Sequence, residues 1–558
     1  MVYIHSKQSQ INSYIGKNLT VEQIKDTLVD MGMDIKGESK DKDPELKIEI
    51  TAERMDLVST IGIARAIKYY RGFETKLPKY KIEPAKETVY VEKTVENTIR
   101  PKTVCVILKD MELTQETLDE IIEIQEKIHD SFGRNRKKAS IGIYPTDEFE
   151  FPVTLRGEKP EDIVFHALEA DGEMSATQII KKHETAKKFA HLLKGHKLFP
   201  VFRDKNNEVL SLPPLINSHK TGKVELKHKN LFIEITGENQ THLDHLLKVI
   251  TTTFIEMGAK AQGVHVEYKG TKEKYSLSLD SHEDKLSLDY VNKLIGVNIK
   301  PNQVEKLLNK MMFGLKGIKG DELRVEIPCY KSDIWHDADI ADDIARAYGY
   351  NNIIPRFPQI ATIGETLPFS QFRDRITQTM VNLGFLEIYT YILSSTKSQF
   401  EDMCISEKDT KHIRLDDSAD QGTNMCRVRI LPEILTSLRI NRKNKYPQKI
   451  FENGFTLQVD DSQDTGARNV AHLACAIADP KSSYTSIKAV LDTLMSQNEI
   501  KFEVKEVKLP YLIDGRAASI IVNGKQIGFI GELHPQVLEN FDIYVPVGVF
   551  ELNLDNLE

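Results

Sequence analysis

The apolar and polar positions of this 558-residue chain follow two periods, and the switches between them mark its elements. Thr20-Val-Glu-Gln23 has the spacing of a capping box, and Ile24, Leu28 and Met31 then recur on one helical face. Leu46 to Ile50 alternates apolar with charged residues, as a half-buried strand does. Ile61 to Tyr70 returns to the helical period and stops at Arg71-Gly72. The same order reappears far down the chain. A helix from Asn302 to Phe313 is opened by Pro301 and followed by a strand from Leu323 to Ile327. A loop carrying Asp333 and a helix containing Ile344-Ala-Arg-Ala347 complete it. The counterparts in the first segment are Lys47-Ile-Glu-Ile50, Asp56-Leu57 and Ile63-Ala-Arg-Ala66. Two widely separated copies do not make a solenoid, which stacks short adjacent repeats. The pattern predicts one small α/β module used twice, as a docking unit.

Between the copies strands and helices mix: a strand from Thr103 to Leu108, an amphipathic helix from Glu116 to Asp130, a strand from Leu231 to Thr236. Lys76 to Pro84, rich in Lys and Pro, reads as a linker. After Pro355 and Pro358 a last domain begins, with helices at Phe372 to Leu383, Leu431 to Leu438 and Tyr484 to Met495. Ser519 to Val522, Asn523-Gly524 and Gln526 to Ile530 form a hairpin with the turn chemistry of two-residue loops. The predicted fold class is α+β and multidomain, with expected divisions at 1–85, 86–272, 273–355 and 356–558.

Composition narrows the class. The chain is 40% hydrophobic and 28% charged, ordinary for a globular protein. No stretch approaches the ~18 apolar residues of a membrane span, and Met-Val-Tyr-Ile-His has no basic-then-apolar leader, so a cytoplasmic address is expected. The five cysteines are scattered with no CxxC pair, which predicts buried free thiols. A net charge of −8 leaves any RNA contact to local basic patches or to a partner chain.

Five groups of residues are weighed as candidates for chemistry. Asp339 and the pair Asp342/Asp343 lie three and four apart on a predicted helix, with Asp333 in the preceding loop; they read either as oxygen ligands for magnesium or as acids complementing a helix dipole. His336 and Asp337 read as their solvated neighbours. Glu234 and Thr236 share one face of a strand, either in a pocket or on a solvent-facing sheet. Arg134-Asn-Arg136-Lys137-Lys138 is either a solvated loop or a phosphate contact. His242 and His245, without cysteines nearby, read as surface histidines. Gly314, Gly317 and Gly320 lack the Lys-Ser/Thr ending of a P-loop and read as a loop.

Three passages resemble the β subunit of phenylalanyl-tRNA synthetase of the archaeal and eukaryotic type. Ile327-Pro-Cys-Tyr-Lys-Ser-Asp333 through Tyr350 is similar to the family's fifth module. Leu383 to Tyr391, Ile450 to Phe455 and Gly531 to Val537 resemble its synthetase-like domain, and Ile48 to Arg65 its first module. The first module departs from the pattern in reading Ala52-Glu53-Arg54-Met55-Asp56-Leu57. The archaeal and eukaryotic type implies that a long bacterial-type extension with a tRNA-binding fold is not expected.

The resemblance implies a catalytically inactive class II synthetase-like antiparallel sheet domain at the C-terminus, since no arginine-glutamate hairpin or late glycine-rich strand ending in arginine is found there. It implies an α subunit that carries ATP-dependent charging of tRNA(Phe) in an α2β2 heterotetramer. It implies a magnesium site on Asp333, Asp339, Asp342 and Asp343 at the junction with α. It also implies an editing domain that hydrolyses Tyr-tRNA(Phe) by a positioned water, with Ser211, Asn217, Glu234 and Thr236 in its pocket and Arg134, Arg136, Lys137 and Lys138 near the tRNA. The rival expectation is a stand-alone RNA-binding or tRNA-surveillance protein built from the same modules.

Overall fold

A computed structural model describes residues 2–51, 53–416, 418 and 422–557. The chain divides at Phe357/Pro358 into two compact units, each with α and β structure. Among the described residues no helix is long and apolar enough to cross a membrane.

The first unit contains the repeated module twice. In the first copy the strands Val2–Lys7, Asp34–Glu38 and Glu45–Ile50 form a three-stranded sheet with Glu45–Ile50 in the centre. In the second, His282–Ser287, Gly314–Lys319 and Glu322–Ile327 repeat that order, again with the last strand central. The helices agree as well. Thr20 caps Val21–Asp30 by accepting from the Gln23 N–H, and Pro301 opens Pro301–Lys310, where its missing N–H costs nothing. Gly314 and Gly317, expected in a loop, lie in a strand with a bulge between Leu315 and Gly317; only Gly320 takes the left-handed turn.

Between the copies lies a ten-stranded sheet. From one edge it runs Ile216–Asn217, Val209–Leu212, Phe199–Arg203, Val153–Glu158, Ile82–Val91, Lys260–Tyr268, Lys102–Lys109, Leu231–Gly237 and Ala139–Pro145, with Lys274–Tyr275 paired to Lys260–Tyr268. The strand Ile82–Val91 straddles the expected 85/86 division and takes Ile82 to Pro84 out of the expected linker. Helices Gln115–Asp130 and Gln240–Glu256 bury one face of the sheet through Ile121, Ile124, Leu243 and Leu246. The sheet curls until its two edges meet. They are joined by side chains: Tyr144 Oη on one edge strand lies 2.7 Å from Ser211 Oγ, one strand in from the other edge, and Asn217 Nδ2 on that other edge donates to the Ile143 carbonyl at 3.4 Å.

The second unit is a seven-stranded sheet in the order Leu386–Glu387, Gln448–Val459, Ala467–Ala478, Val547–Asn553, Lys525–Leu533, Leu512–Val522 and Glu503–Glu506. Every pairing is antiparallel except the first. The predicted hairpin turn is present, with Asn523 and Gly524 both at positive φ (50° and 76°), the geometry that matches strand twist. Helices Pro368–Asn382 and Tyr484–Gln497 pack Ile376, Met380, Leu491 and Leu494 into its core.

Candidate functional site

A cavity of about 760 Å³ opens where the curled sheet meets itself. Leu118, Ile121, Ile141, Ile143 and Leu168 give it apolar walls, and Ser211, Asn217 and Glu234 line it as well. Thr236 does not reach the wall: it is fully buried, its hydroxyl 3.0 Å from the Ser140 hydroxyl, and Ser140 lines the cavity instead. Glu234 and Thr236 are therefore neither a solvent-facing edge nor equal partners in a pocket.

Glu234 is 2% exposed. Strand register places Cys105 on one side of it and Gly142 on the other. Its Oε1 lies 3.0 Å from Tyr144 Oη, while Oε2 is buried with no hydrogen-bond partner among the described residues. Burial raises the carboxyl to about 8, against the opposing hydrogen bond of Tyr144 and the charge of Arg100. Arg100 is buried too, which lowers its guanidinium to about 10. Its Nη1 donates to the carbonyls of Ile99 and Lys137 at 3.0 and 3.3 Å.

Around the cavity, His129 sits with Nδ1 3.1 Å from Glu126 Oε1, while Nε2 accepts the Ile141 N–H at 2.8 Å. Both ring nitrogens are engaged, and burial lowers the pKa of the ring, so it is a neutral fixture rather than a free base. Arg136 also faces inward. Its Nη1 donates to the carbonyls of Pro214 and Leu215 at 3.3 and 3.2 Å, its Nη2 to Glu126 at 2.9 Å, and its guanidinium lies 4.4 Å from the Phe189 ring centroid. Arg136, expected near the tRNA, thus has both Nη groups engaged inside the protein, with the Pro213-Pro214 loop and with Glu126, and its Nε is buried without a hydrogen-bond partner among the described residues. Arg134, Asn135 and Arg136 have successive positive φ values of 47°, 53° and 61°, a left-handed turn that sends Arg136 in and leaves Arg134, Lys137 and Lys138 exposed. Lys138 lies 3.8 Å from Glu238.

The four acids expected to hold magnesium do not converge. Asp339 Oδ2 accepts the N–H groups of Trp335 and His336 at 2.7 and 2.8 Å, which makes it a helix cap. Asp342 pairs with Arg346 at 2.7 Å and accepts from Tyr350 at 2.6 Å. Asp343 points inward to the buried Lys331 at 2.6 Å. Asp333 is largely buried, 3.8 Å from Arg54; burial raises its pKa, while Lys331 and Arg54 oppose the shift. Among the described residues no three His, Cys, Asp or Glu side chains are placed to hold a metal. Successive helix residues diverge by about 100°, so Asp342 and Asp343 face different surroundings. These residues do not fit a magnesium cage within this chain; side-chain cations stand among them instead. Arg54 is itself held by Asp56 through two 2.9 Å bonds, so the network ties the two copies of the module together. His242, whose Nε2 lies 3.1 Å from the Phe132 carbonyl, and His245 are half-buried.

The sequence reading missed Tyr144, Gly142, Arg100 and His129. Gly142 carried a signal: on a strand of buried residues it is the one position opposite Glu234, and any Cβ there would overlap the Tyr144 hydroxyl and Glu234 Oε1.

A buried carboxyl with one free oxygen, set in an apolar wall, is suited to read a hydroxyl. A ligand with that hydroxyl satisfies the oxygen, and one without it leaves the oxygen unmet.

Comparison with known proteins bears on the family of the chain. Residues 1–73 match the family profile described as the Phe-tRNA synthetase beta subunit B1 domain, 285–350 the tRNA synthetase B5 domain, and 353–554 the phenylalanyl tRNA synthetase beta chain CLM domain. The phenylalanine–tRNA ligase beta subunit of Pyrococcus horikoshii is 38% identical over 90% of this chain and 89% of its own length. That of Pyrococcus furiosus is 34% identical over 99% and 98%, and that of Thermococcus sibiricus 36% identical over 90% and 89%. The crystal structure of an N-terminal fragment of the Pyrococcus horikoshii phenylalanyl-tRNA synthetase beta subunit superposes with a TM-score of 0.59 at 31% identity, covering 62% of this chain and 99% of the fragment. By repeat, order of modules and similarity along its length, the chain belongs to the β subunits of phenylalanine–tRNA ligase.

Proposed function

We propose that this subunit hydrolyses tyrosine misattached to tRNA(Phe) in the cavity between the edges of its curled sheet. The carrying observation is Glu234 Oε2, buried and unbonded, on the wall of an apolar cavity beside Ser211. A synthetic pocket shaped for phenylalanine rejects an added hydroxyl poorly, so a second site that requires the hydroxyl completes the discrimination. The tyrosine phenol donates to Glu234, and Asn217 and the Pro213-Pro214 loop close over the aminoacyl end. Water attacks the ester carbonyl, releasing tyrosine and a free tRNA hydroxyl. Of the two histidines lining the cavity, His129 has both ring nitrogens engaged. His219 stacks on His166 with ring centroids 4.6 Å apart and leaves Nδ1 without a hydrogen-bond partner among the described residues. In this reading the water is positioned rather than deprotonated by a triad. Arg134, Lys137 and Lys138, exposed at the left-handed turn, contact phosphates of the incoming end.

The assembly is an α2β2 heterotetramer in the cytoplasm, with ATP consumed on the α subunit. Magnesium is assigned to the charging reaction of that assembly, and no step is routed through Asp333, Asp339, Asp342 and Asp343. The second unit is a class II synthetase-like sheet whose buried charges satisfy one another. Arg427 donates to Glu452 at 2.6 Å and to Thr390 at 2.6 Å, and Glu551 lies 2.7 Å from His472 and accepts the N–H groups of Ile430 and Leu431. Such a network supports a scaffold role over a nucleotide site. The test is deacylation of Tyr-tRNA(Phe) by the assembled enzyme carrying Glu234→Ala. Loss of hydrolysis with charging retained is expected, and an unchanged rate overturns the assignment of the pocket.

A further inference from the structure

We propose that Tyr144 is a positioning residue for tyrosine recognition: by fixing Glu234 through Oε1 and Ser211 through Oγ, it presents Glu234 Oε2 as the acceptor that reads the substrate hydroxyl. The inference rests on the editing reading above and names the residue that makes its acceptor specific.

Tyr144 is fully buried and takes no part in the cavity wall; Glu234 and Ser211 do. Its ring is held against Phe149, at 6.5 Å and near-perpendicular, and against Phe232 at 5.8 Å, which leaves the hydroxyl little freedom. That hydroxyl stands 2.7 Å from Ser211 Oγ and 3.0 Å from Glu234 Oε1. A phenol has one proton to give. When Glu234 is ionised the proton goes to the charged acceptor, which makes the stronger bond, and Ser211 donates its own proton to the phenol oxygen. The relay then runs from Ser211 through Tyr144 to Oε1. It binds one oxygen of the carboxylate and leaves the other, which no described group satisfies, for the ligand. The missing Cβ of Gly142 leaves the space in which the phenol and the carboxylate meet.

The groups around Glu234 are few. Arg100 and Tyr144 favour its ionised form, Cys105 faces it from the neighbouring strand, and burial opposes ionisation. The protein's own phenol therefore lends the carboxylate one of the two hydrogen bonds it needs, and the tyrosyl substrate supplies the second. A phenylalanyl end supplies none. Removing the Tyr144 hydroxyl leaves Oε1 unbonded, disfavours the carboxylate, and moves the pH at which the site becomes competent upward.

The test uses the assembled enzyme with Tyr144→Phe and measures kcat/KM for deacylation of Tyr-tRNA(Phe) and Phe-tRNA(Phe) between pH 6 and 9. Loss of one hydrogen bond to a charged group predicts an ascending limb shifted up by about one pH unit and a rate on Tyr-tRNA(Phe) lowered about tenfold at pH 7, recovering as pH rises. A merely structural role would lower the rate without moving the limb, so a wild-type pH midpoint in Tyr144→Phe overturns the inference. Glu234→Gln separates the two levels. If Glu234→Gln retains discrimination, the editing reading itself fails. If Glu234→Gln loses it while Tyr144→Phe keeps the wild-type midpoint, only the role of Tyr144 fails. Should Tyr144→Phe not fold, Ser211→Ala carries the test: it removes the donor that turns the phenol toward Glu234, and an unshifted limb in that variant overturns the inference equally.

Discussion

Replacing Glu234 by glutamine tests the burial of this carboxyl through stability, independently of any reaction. In the folded protein the group holds its proton up to about 8, against an ordinary value of 4.5. Between these values the folded state binds a proton that the unfolded chain has released, so stability contributed by the neutral carboxyl is complete below 4.5 and is lost as pH rises toward 8. Each unit of pH in that window costs about 1.4 kcal/mol, so wild-type stability falls by roughly 3 kcal/mol from pH 5 to pH 8 on this account. Glutamine does not titrate. Its amide N–H meets no acceptor where Oε2 stands, a cost of about 1–3 kcal/mol that is the same at every pH. The variant's unfolding free energy minus that of the wild type should therefore grow by roughly 3 kcal/mol across the window, whatever its offset. Urea denaturation followed by circular dichroism at several pH values reads this difference from the midpoints. Parallel curves for the two proteins would refute the burial of an unpaired carboxyl at this position.

Three further outcomes follow from the same geometry. Lys331→Met strands the buried Asp343 without its partner 2.6 Å away and should cost about 3–5 kcal/mol in denaturation, most of it recovered when Asp343→Leu is added; additive losses would contradict the pairing. Alanine at Arg134, Lys137 and Lys138 together should flatten the salt dependence of tRNA binding, each phosphate contact contributing about 0.7 to the slope, whereas Arg136→Ala, whose guanidinium is bonded inside the protein, should leave the slope unchanged. Native mass spectrometry of the chain purified gently from its own cells should give two copies with two of a synthetase α chain; a stable lone monomer or homodimer would contradict the heterotetramer.

Much of the architecture is legible in the residues because it is local. Capping at Thr20, the proline that opens the helix at Pro301 and the Asn523-Gly524 turn each depend on neighbours a few positions away, and the repeated Ile-Ala-Arg-Ala helix marks the duplicated module. Ser211 and Glu234 were reachable through family resemblance. Tyr144 was not, because it stands 67 residues from Ser211 and meets it only when a ten-stranded sheet curls edge to edge. The acids of the second module failed for a different reason. Spacing of three and four puts residues on one helical face, but it does not say which of them caps the helix, as Asp339 does, or which turns inward to a lysine, as Asp343 does. The basic run does not tell which of its side chains turns inward, because three successive left-handed residues send Arg136 into the protein. In each case the missing information is long-range packing or local backbone handedness.

The most direct measurement is the ratio of deacylation rates for Tyr-tRNA(Phe) and Phe-tRNA(Phe) by the wild-type assembled enzyme under identical conditions. A site that reads the hydroxyl through a buried, otherwise unsatisfied carboxyl predicts hydrolysis of the tyrosyl ester at least about a hundredfold faster than the phenylalanyl ester. Equal rates on the two esters, or no acceleration of either over buffer, would contradict it.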